Sequence, residues 1–446
     1  MIPGMQGIGK IPELRKRIFF TLGMLAVYRF GIFVSTPGID VEALRRQFDT
    51  SAGSLFGLVN MFSGGALKQF SIFTLGIMPY ISVSIIMQLL SSSIPALEAL
   101  KKEGEAGQRV ITRYTRQGTV ALALFQGFMV SLGLESQGLV LNPGWSFRIT
   151  TMITLTAGTA FIMWLGEQIS EKGIGNGMSI VIFAGIVARM PATFISTLVL
   201  ARSQEVAPIS VLIVIVFCIL TVAGIVFVER SHRKIPIQYP RRMVGRKMSQ
   251  AQTQYMPLKV NMSGVIPPIF ASAFLMLPAT VATVSSNETL QEMMSYLVPG
   301  SWVYSAIFAG LIVFFSFFYT ALIFNPPEVA ENLKKNGGFV PTVRPGKATA
   351  DFFYGVLNRL TLWGAIYIAL VCLVPQFVYF KLGLTSFAYI FGGTAVLIAV
   401  GVILDTVSQI ESYIVARNYE DFMSKSHRQR GGLGSMRYTR NRLLRR

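Results

Sequence analysis

Ten apolar stretches, at 18–34, 72–90, 119–134, 149–165, 178–200, 209–228, 260–282, 303–324, 360–379 and 387–404, punctuate this chain of 446 residues. A helix needs about 20 residues to cross about 30 Å of hydrocarbon, so each stretch predicts one membrane span. Helices are the available form for an open chain, because an unpaired backbone group in lipid costs several kcal/mol. With 52% hydrophobic and 14% charged side chains, the chain belongs with multi-spanning membrane proteins and not with soluble domains. The expected fold is an all-α polytopic bundle.

Charge sets the orientation. Threaded alternately with the N-terminus inside, the inner segments carry 32 Lys and Arg and the outer ones 6. The positive-inside rule then places both termini in the cytoplasm. The formal charge of +19 resides in loops and tail, which form a cationic surface suited to anionic partners, lipids included. Lys10, Arg15, Lys16 and Arg17 before the first span also fit a signal peptide, but no small-residue cleavage site follows, and an uncleaved first helix is expected.

Other chemistry is sparse. Cys218 and Cys372 fall inside spans, as small buried hydrophobes do, and His232 and His427 lack neighbours at ligand spacing, so no metal and no cofactor is expected. No phosphate-cradling Gly-Lys-Ser or Gly-Lys-Thr loop occurs, and no Ser, His and Asp set suggests an intramembrane protease. The chain does not read as an enzyme. Gly173-Ile-Gly-Asn-Gly177 resembles a dinucleotide turn but follows no strand, and reads as a turn between helices.

Three places break the rhythm of span and loop. The outer stretch 55–74 is too short and too rich in Gly and Ser to span, yet too apolar for an ordinary loop. Re-entrance and a surface-lying amphipathic helix both fit it. The inner loops 229–259 and 325–359 are long, basic and rich in turn formers, more than orientation requires, and suit a docking surface for a large partner. Third, Arg29 and Arg189 are the basic residues placed within spans, both near an end or able to snorkel, while the mid-span polar groups such as Ser82, Gln88 and Ser272 are neutral. Ion or proton coupling, which uses buried charge, is therefore poorly supported, and a secondary transporter with inverted repeats is the rival reading.

An ordered set of strings narrows the choice. Asn60-Met-Phe-Ser-Gly-Gly-Ala-Leu67, Leu75-Gly-Ile-Met-Pro-Tyr-Ile-Ser82, Lys101-Lys-Glu-Gly-Glu105, Trp164-Leu-Gly-Glu-Gln168, Gly173-Ile-Gly-Asn-Gly177, Pro257-Leu-Lys-Val-Asn261, Phe318-Tyr-Thr-Ala-Leu322 and Val343-Arg-Pro-Gly346 together resemble the bacterial SecY family, channel subunits of the protein translocase. The similarity runs from the first span to the tenth.

The resemblance implies ten transmembrane helices in two inverted five-helix halves, 1–200 and 209–423, joined by a hinge at 201–208, with a basic cytoplasmic tail at 424–446. It implies that 60–73 is a half-inserted, re-entrant plug helix, with Asn60, Met61, Phe62, Ser63, Gly64, Gly65, Ala66 and Leu67 at its heart, loosely held. It assigns a ring of apolar side chains to Ile77, Ile81, Met178, Ile182, Ile269 and Ile398. The i,i+4 spacings of Ile77 with Ile81 and of Met178 with Ile182 allow a shared face, although aliphatic residues in spans are commonly core or lipid-facing. Met178 stands where the family often has a branched aliphatic residue.

Further implications concern partners. Gln88 and Asn261 match lateral-gate positions, where a hydrogen bond worth about 0.6 to 2 kcal/mol can hold a seam shut and yet break. Arg344, with Arg241, Arg242, Arg246 and Lys247, matches the face that engages the SecA ATPase and the ribosome, including its RNA. Guanidinium suits both carboxylate and phosphate. SecE and SecG are the implied companion subunits. The implied activity is a gated conduit in the bacterial cytoplasmic membrane for unfolded secretory polypeptides, which also releases hydrophobic helices sideways into lipid.

Overall fold

A computed structural model describes residues 11–44, 64–203, 207–239, 243–244, 247–248, 253–284, 301–382, 387 and 391–416; at 243–244, 247–248, 276–284 and 380 the description is of the backbone. Helix α1 spans Pro12–Gly31, α2 Met78–Ser93, α3 Pro95–Lys102, α4 Glu105–Ser136, α5 Trp145–Lys172, α6 Gly177–Val187, α7 Met190–Arg202 and α8 Pro208–Glu229. Strands β1 His232–Gln238, β2 Met243–Val244, β3 Lys247–Met248 and β4 Thr253–Lys259 follow. Helices α9 Ile266–Val284, α10 Trp302–Ile323, α11 Pro326–Lys335, α12 Lys347–Lys381 and α13 Gly393–Ala416 complete the chain. Among the described residues seven helical segments are long and apolar enough to cross a membrane, or eight if the bent pair α2 and α3 is one span. The chain is a polytopic helical membrane protein.

Local chemistry moves several helix ends away from the hydropathy boundaries. The 72–90 stretch becomes helical only at Met78, since Gly76 takes φ +56°, outside the helical region. At its far end α2 turns by 96° into α3. Ile94 precedes Pro95 and is pushed to an extended conformation, φ −100° and ψ 117°. The single span expected at 178–200 is present as one segment, Gly177–Arg202, interrupted between α6 and α7 just before Met190 and Pro191.

In the first part of the chain α4 and α5 form a hairpin, with α2 on α4 and α1 on α5. An ion pair locks the turn of the hairpin: Arg148 Nη2 lies 2.6 Å from Glu135 Oε2, and the Gly144 N–H donates to Glu135 Oε1 at 2.9 Å. In the second part α10 packs on α9 and α12, and α12 on α8 and α11. The two parts meet where α9 lies against α2 and α4. A buried apolar cluster joins α1, α2, α5, α6, α8, α9, α10, α12 and α13.

Within 229–259, β1 and β4 pair antiparallel from His232↔Lys259 to Gln238↔Thr253. Gln238 also exchanges backbone hydrogen bonds with Phe339 of the other basic loop, at 2.9 and 3.0 Å. Ile235 and Leu258 of the hairpin share a small core with Val340, Phe353, Val356 and Leu360. The two basic loops thus form one folded unit.

Candidate functional site

The aliphatic positions singled out from sequence belong to one extended buried cluster. Ile77 just before α2, Ile81 on α2, Ile182 on α6, Ile269 on α9 and Ile398 on α13 are all buried members of the same cluster, and Met178 packs against it. Ile77 is the residue before the first helical one, yet the Ile81 N–H donates to the Ile77 carbonyl at 3.1 Å, which keeps the pair on one face. The Met178 thioether lies against Gly166 of α5, in space that a Cβ there would fill. Gly173 to Gly177 is the turn between α5 and α6, and Asn176 caps α6 by accepting from the N–H of Met178 at 3.1 Å. The same turn is tied to both ends of the chain: the Ile174 N–H donates to Thr21 Oγ1 at 3.2 Å and the Gly175 N–H to Gln409 Oε1 of α13 at 2.9 Å.

Into this cluster comes the segment around 64–74. Asn60, Met61, Phe62 and Ser63 lie outside the described residues. Gly64 and Gly65 turn in the left-handed region, φ +67° and +95°, and Ala66 is a fully buried member of the cluster. Among the described residues of 60–73 the chain then makes one 3-10 turn, Leu67–Gln69. It is firmly held from there on. The Ser71 N–H donates to the Ala66 carbonyl at 3.0 Å, the Thr36 N–H to the Phe70 carbonyl at 2.8 Å and the Ile72 N–H to the Val34 carbonyl at 3.0 Å. Phe70 is fully buried, and Phe73 stacks on Tyr28 and Phe161 with centroids 5.9 Å away in each case. In this structure aromatic burial and strand-like pairing hold 66–74 against its neighbours.

Four residues of the seat were not singled out as such from sequence. Gly64 lies against the backbone of Gly185 on α6 and close to the Tyr28 hydroxyl. Arg29 Nη1 donates to the Gly64 carbonyl at 3.1 Å, with its guanidinium over the Phe33 ring. Arg189 passes beside Gly65. The two span arginines are therefore turned to this segment from helix ends, Arg29 in the last turn of α1 and Arg189 just before α7; the signal available was their rarity within spans.

The Gln88 to Asn261 hydrogen bond is absent. Asn261 Nδ2 donates to Glu229 Oε1 at 2.7 Å and to the Gly264 carbonyl at 3.1 Å, and Asn261 Oδ1 accepts from Ser263 and Gly264. The short turn before α9 consumes the amide. Gln88 Oε1 is buried without a partner, beside a cavity of about 270 Å³ between α2, α4 and α10. Arg344 is exposed, its carbonyl held by Thr349 Oγ1 at 2.8 Å, at the turn that starts α12. Arg241, Arg242 and Arg246 lie outside the described residues, and Lys247 sits in β3.

The family model named SecY matches residues 71–407 of this chain. The protein translocase subunit SecY of Escherichia coli strain K12 is 46% identical over 427 residues, covering 94% of this chain and 96% of that one. A solved structure described as that of a protein conducting channel superposes with a TM-score of 0.63 at 17% identity, over 92% of this chain and 96% of that one. Sec61 in the canine ribosome-channel complex from the endoplasmic reticulum gives 0.59 at 16% identity, over 92% and 96%.

Proposed function

This chain belongs to the SecY family, and from that premise we propose that it is the channel-forming subunit of a bacterial protein translocase, conducting unfolded polypeptides across the cytoplasmic membrane and releasing hydrophobic helices into it. It is a conduit and not an enzyme. The observation that supports the reading is the membership of Ile77, Ile81, Ile182, Ile269 and Ile398, with Ala66, in one buried apolar cluster drawn from both parts of the chain. An apolar constriction offers hydrated ions nothing in exchange for their water. It closes around a passing chain by dispersion contact, which is indifferent to sequence.

In this reading 60–73 is the plug, 201–208 the hinge between halves 1–200 and 209–423, and the contact of α9 with α2 and α4 the lateral gate, flanked by Gln88 and Asn261. Movement of a whole chain needs a motor, supplied by SecA or the translating ribosome, with SecE bracing the halves and SecG beside them. Arg344, with Arg241, Arg242, Arg246 and Lys247, is the set that engages these partners, and the termini lie in the cytoplasm. The resemblance to a channel solved on a ribosome supports the ribosome as partner. Proteoliposomes holding this chain with SecE test the reading: SecA and ATP must move a secretory precursor into the lumen. Failure of a folded, correctly inserted complex to do so would refute it.

A further inference from the structure

A cavity of about 330 Å³ lies where the 64–69 segment meets α1 and the break between α6 and α7. One wall is Arg29 and Arg189; the other is Gly64, Gly65, Lys68 and Gln69. Among the described residues neither arginine has a carboxylate within ion-pair reach, and the acceptor Arg29 does have is a backbone carbonyl, that of Gly64. Two guanidiniums sharing one partly buried space, with no carboxylate partner of their own among the described residues, are costly, and their planar forks match an oxyanion.

The geometry points to an anion-binding site here, one that takes a phosphate-type oxyanion and holds the plug in its seat. Half of the wall is the plug segment itself, so the complete cavity exists only while that segment is seated. By linkage, whatever binds the complete cavity stabilises the seated state to the same extent. The oxyanion is either free phosphate in the outer compartment or the phosphate of an anionic lipid headgroup. The inference rests on reading 60–73 as the plug.

Potassium leak from proteoliposomes tests it, with inorganic phosphate titrated against gluconate at fixed pH and ionic strength. In zwitterionic vesicles the leak through the protein should fall and saturate, changing the seated-to-open ratio about elevenfold at ten times Kd. R189Q should abolish the dependence and R189K should keep part of it. If the source is lipid, the fall appears instead on adding phosphatidylglycerol to the vesicles without phosphate. Leak that is indifferent to both phosphate and phosphatidylglycerol, or a dependence unchanged in R189Q, overturns the site. Replacing 60–70 by a Gly and Ser linker separates the premises: a leak that does not rise refutes the plug and the site together, whereas a raised leak in that variant alongside a flat phosphate titration in the unmodified complex refutes the anion site alone.

Discussion

Gly64 and Gly185 pack backbone to backbone: a Cβ built on Gly64 would stand 2.9 Å from the Gly185 Cα, and one on Gly185 would stand 3.3 Å from the Gly64 Cα. This is where the 64–69 segment rests on α6, the helix that carries Met178 and Ile182. At Gly64 the close approach and the positive φ leave no room for a Cβ, whereas at Gly185 a Cβ would need its neighbour to give by a few tenths of an ångström.

Gly64→Ala should therefore lift the segment. The left-handed φ of +67° costs an L-residue about 1–2 kcal/mol even before the clash, which is a factor of about 5–30 in a two-state ratio. Potassium leak from proteoliposomes should rise by that order, while the thermal midpoint of the helical bundle changes little. Unchanged leak would show that the contact does not seat the segment.

Ile182→Thr tests the constriction without a large change of shape. Both side chains branch at Cβ, but the hydroxyl brings hydration into a site where Ile182 is 4% exposed. Higher ion leak during translocation, with the rate of precursor transport nearly kept, is the expected outcome of paired leak and transport assays.

The start of α9 and the side of α2 should respond differently to substitution. Asn261→Ala strands Glu229 and the Gly264 N–H and should cost about 1–3 kcal/mol, read as a lower unfolding midpoint. Gln88→Leu removes a buried carbonyl oxygen that has no partner, so stability should hold or rise. Equal losses in the two variants would indicate that the two residues act as a pair.

Arg344→Glu should block secretion while leaving membrane insertion and thermal stability intact. The fold uses the backbone carbonyl of Arg344, held by Thr349, and leaves the side chain exposed. Pulse-chase export of a secretory precursor, alongside the yield of inserted protein, checks both halves of the expectation.

Hydropathy made the spans legible because it reports sums over about 20 residues, and the i,i+4 spacings made Ile77 with Ile81 and Met178 with Ile182 readable as faces. What it misses is decided by single residues. The late start of α2 follows from Gly76, its 96° bend from Pro95, and the break between α6 and α7 from the chain around Arg189 and Pro191. Which face turns inward depends on long-range packing, so family resemblance could name Ile182, Ile269 and Ile398 as neighbours where spacing along the chain could not. The anchoring of Phe70 and Phe73, and the aim of Arg29 and Arg189 at Gly64 and Gly65, arise from contacts across the chain that no local pattern encodes.

The central claim is that the apolar cluster is the path of the moving chain. A photo-crosslinking residue placed at Ile81 or Ile269, with a secretory polypeptide stalled halfway through the membrane, tests it most directly. Ultraviolet light should join this protein to the stalled polypeptide from both positions, and a folded complex that yields adducts to lipid or to its own helices, with none to the polypeptide, would contradict the account.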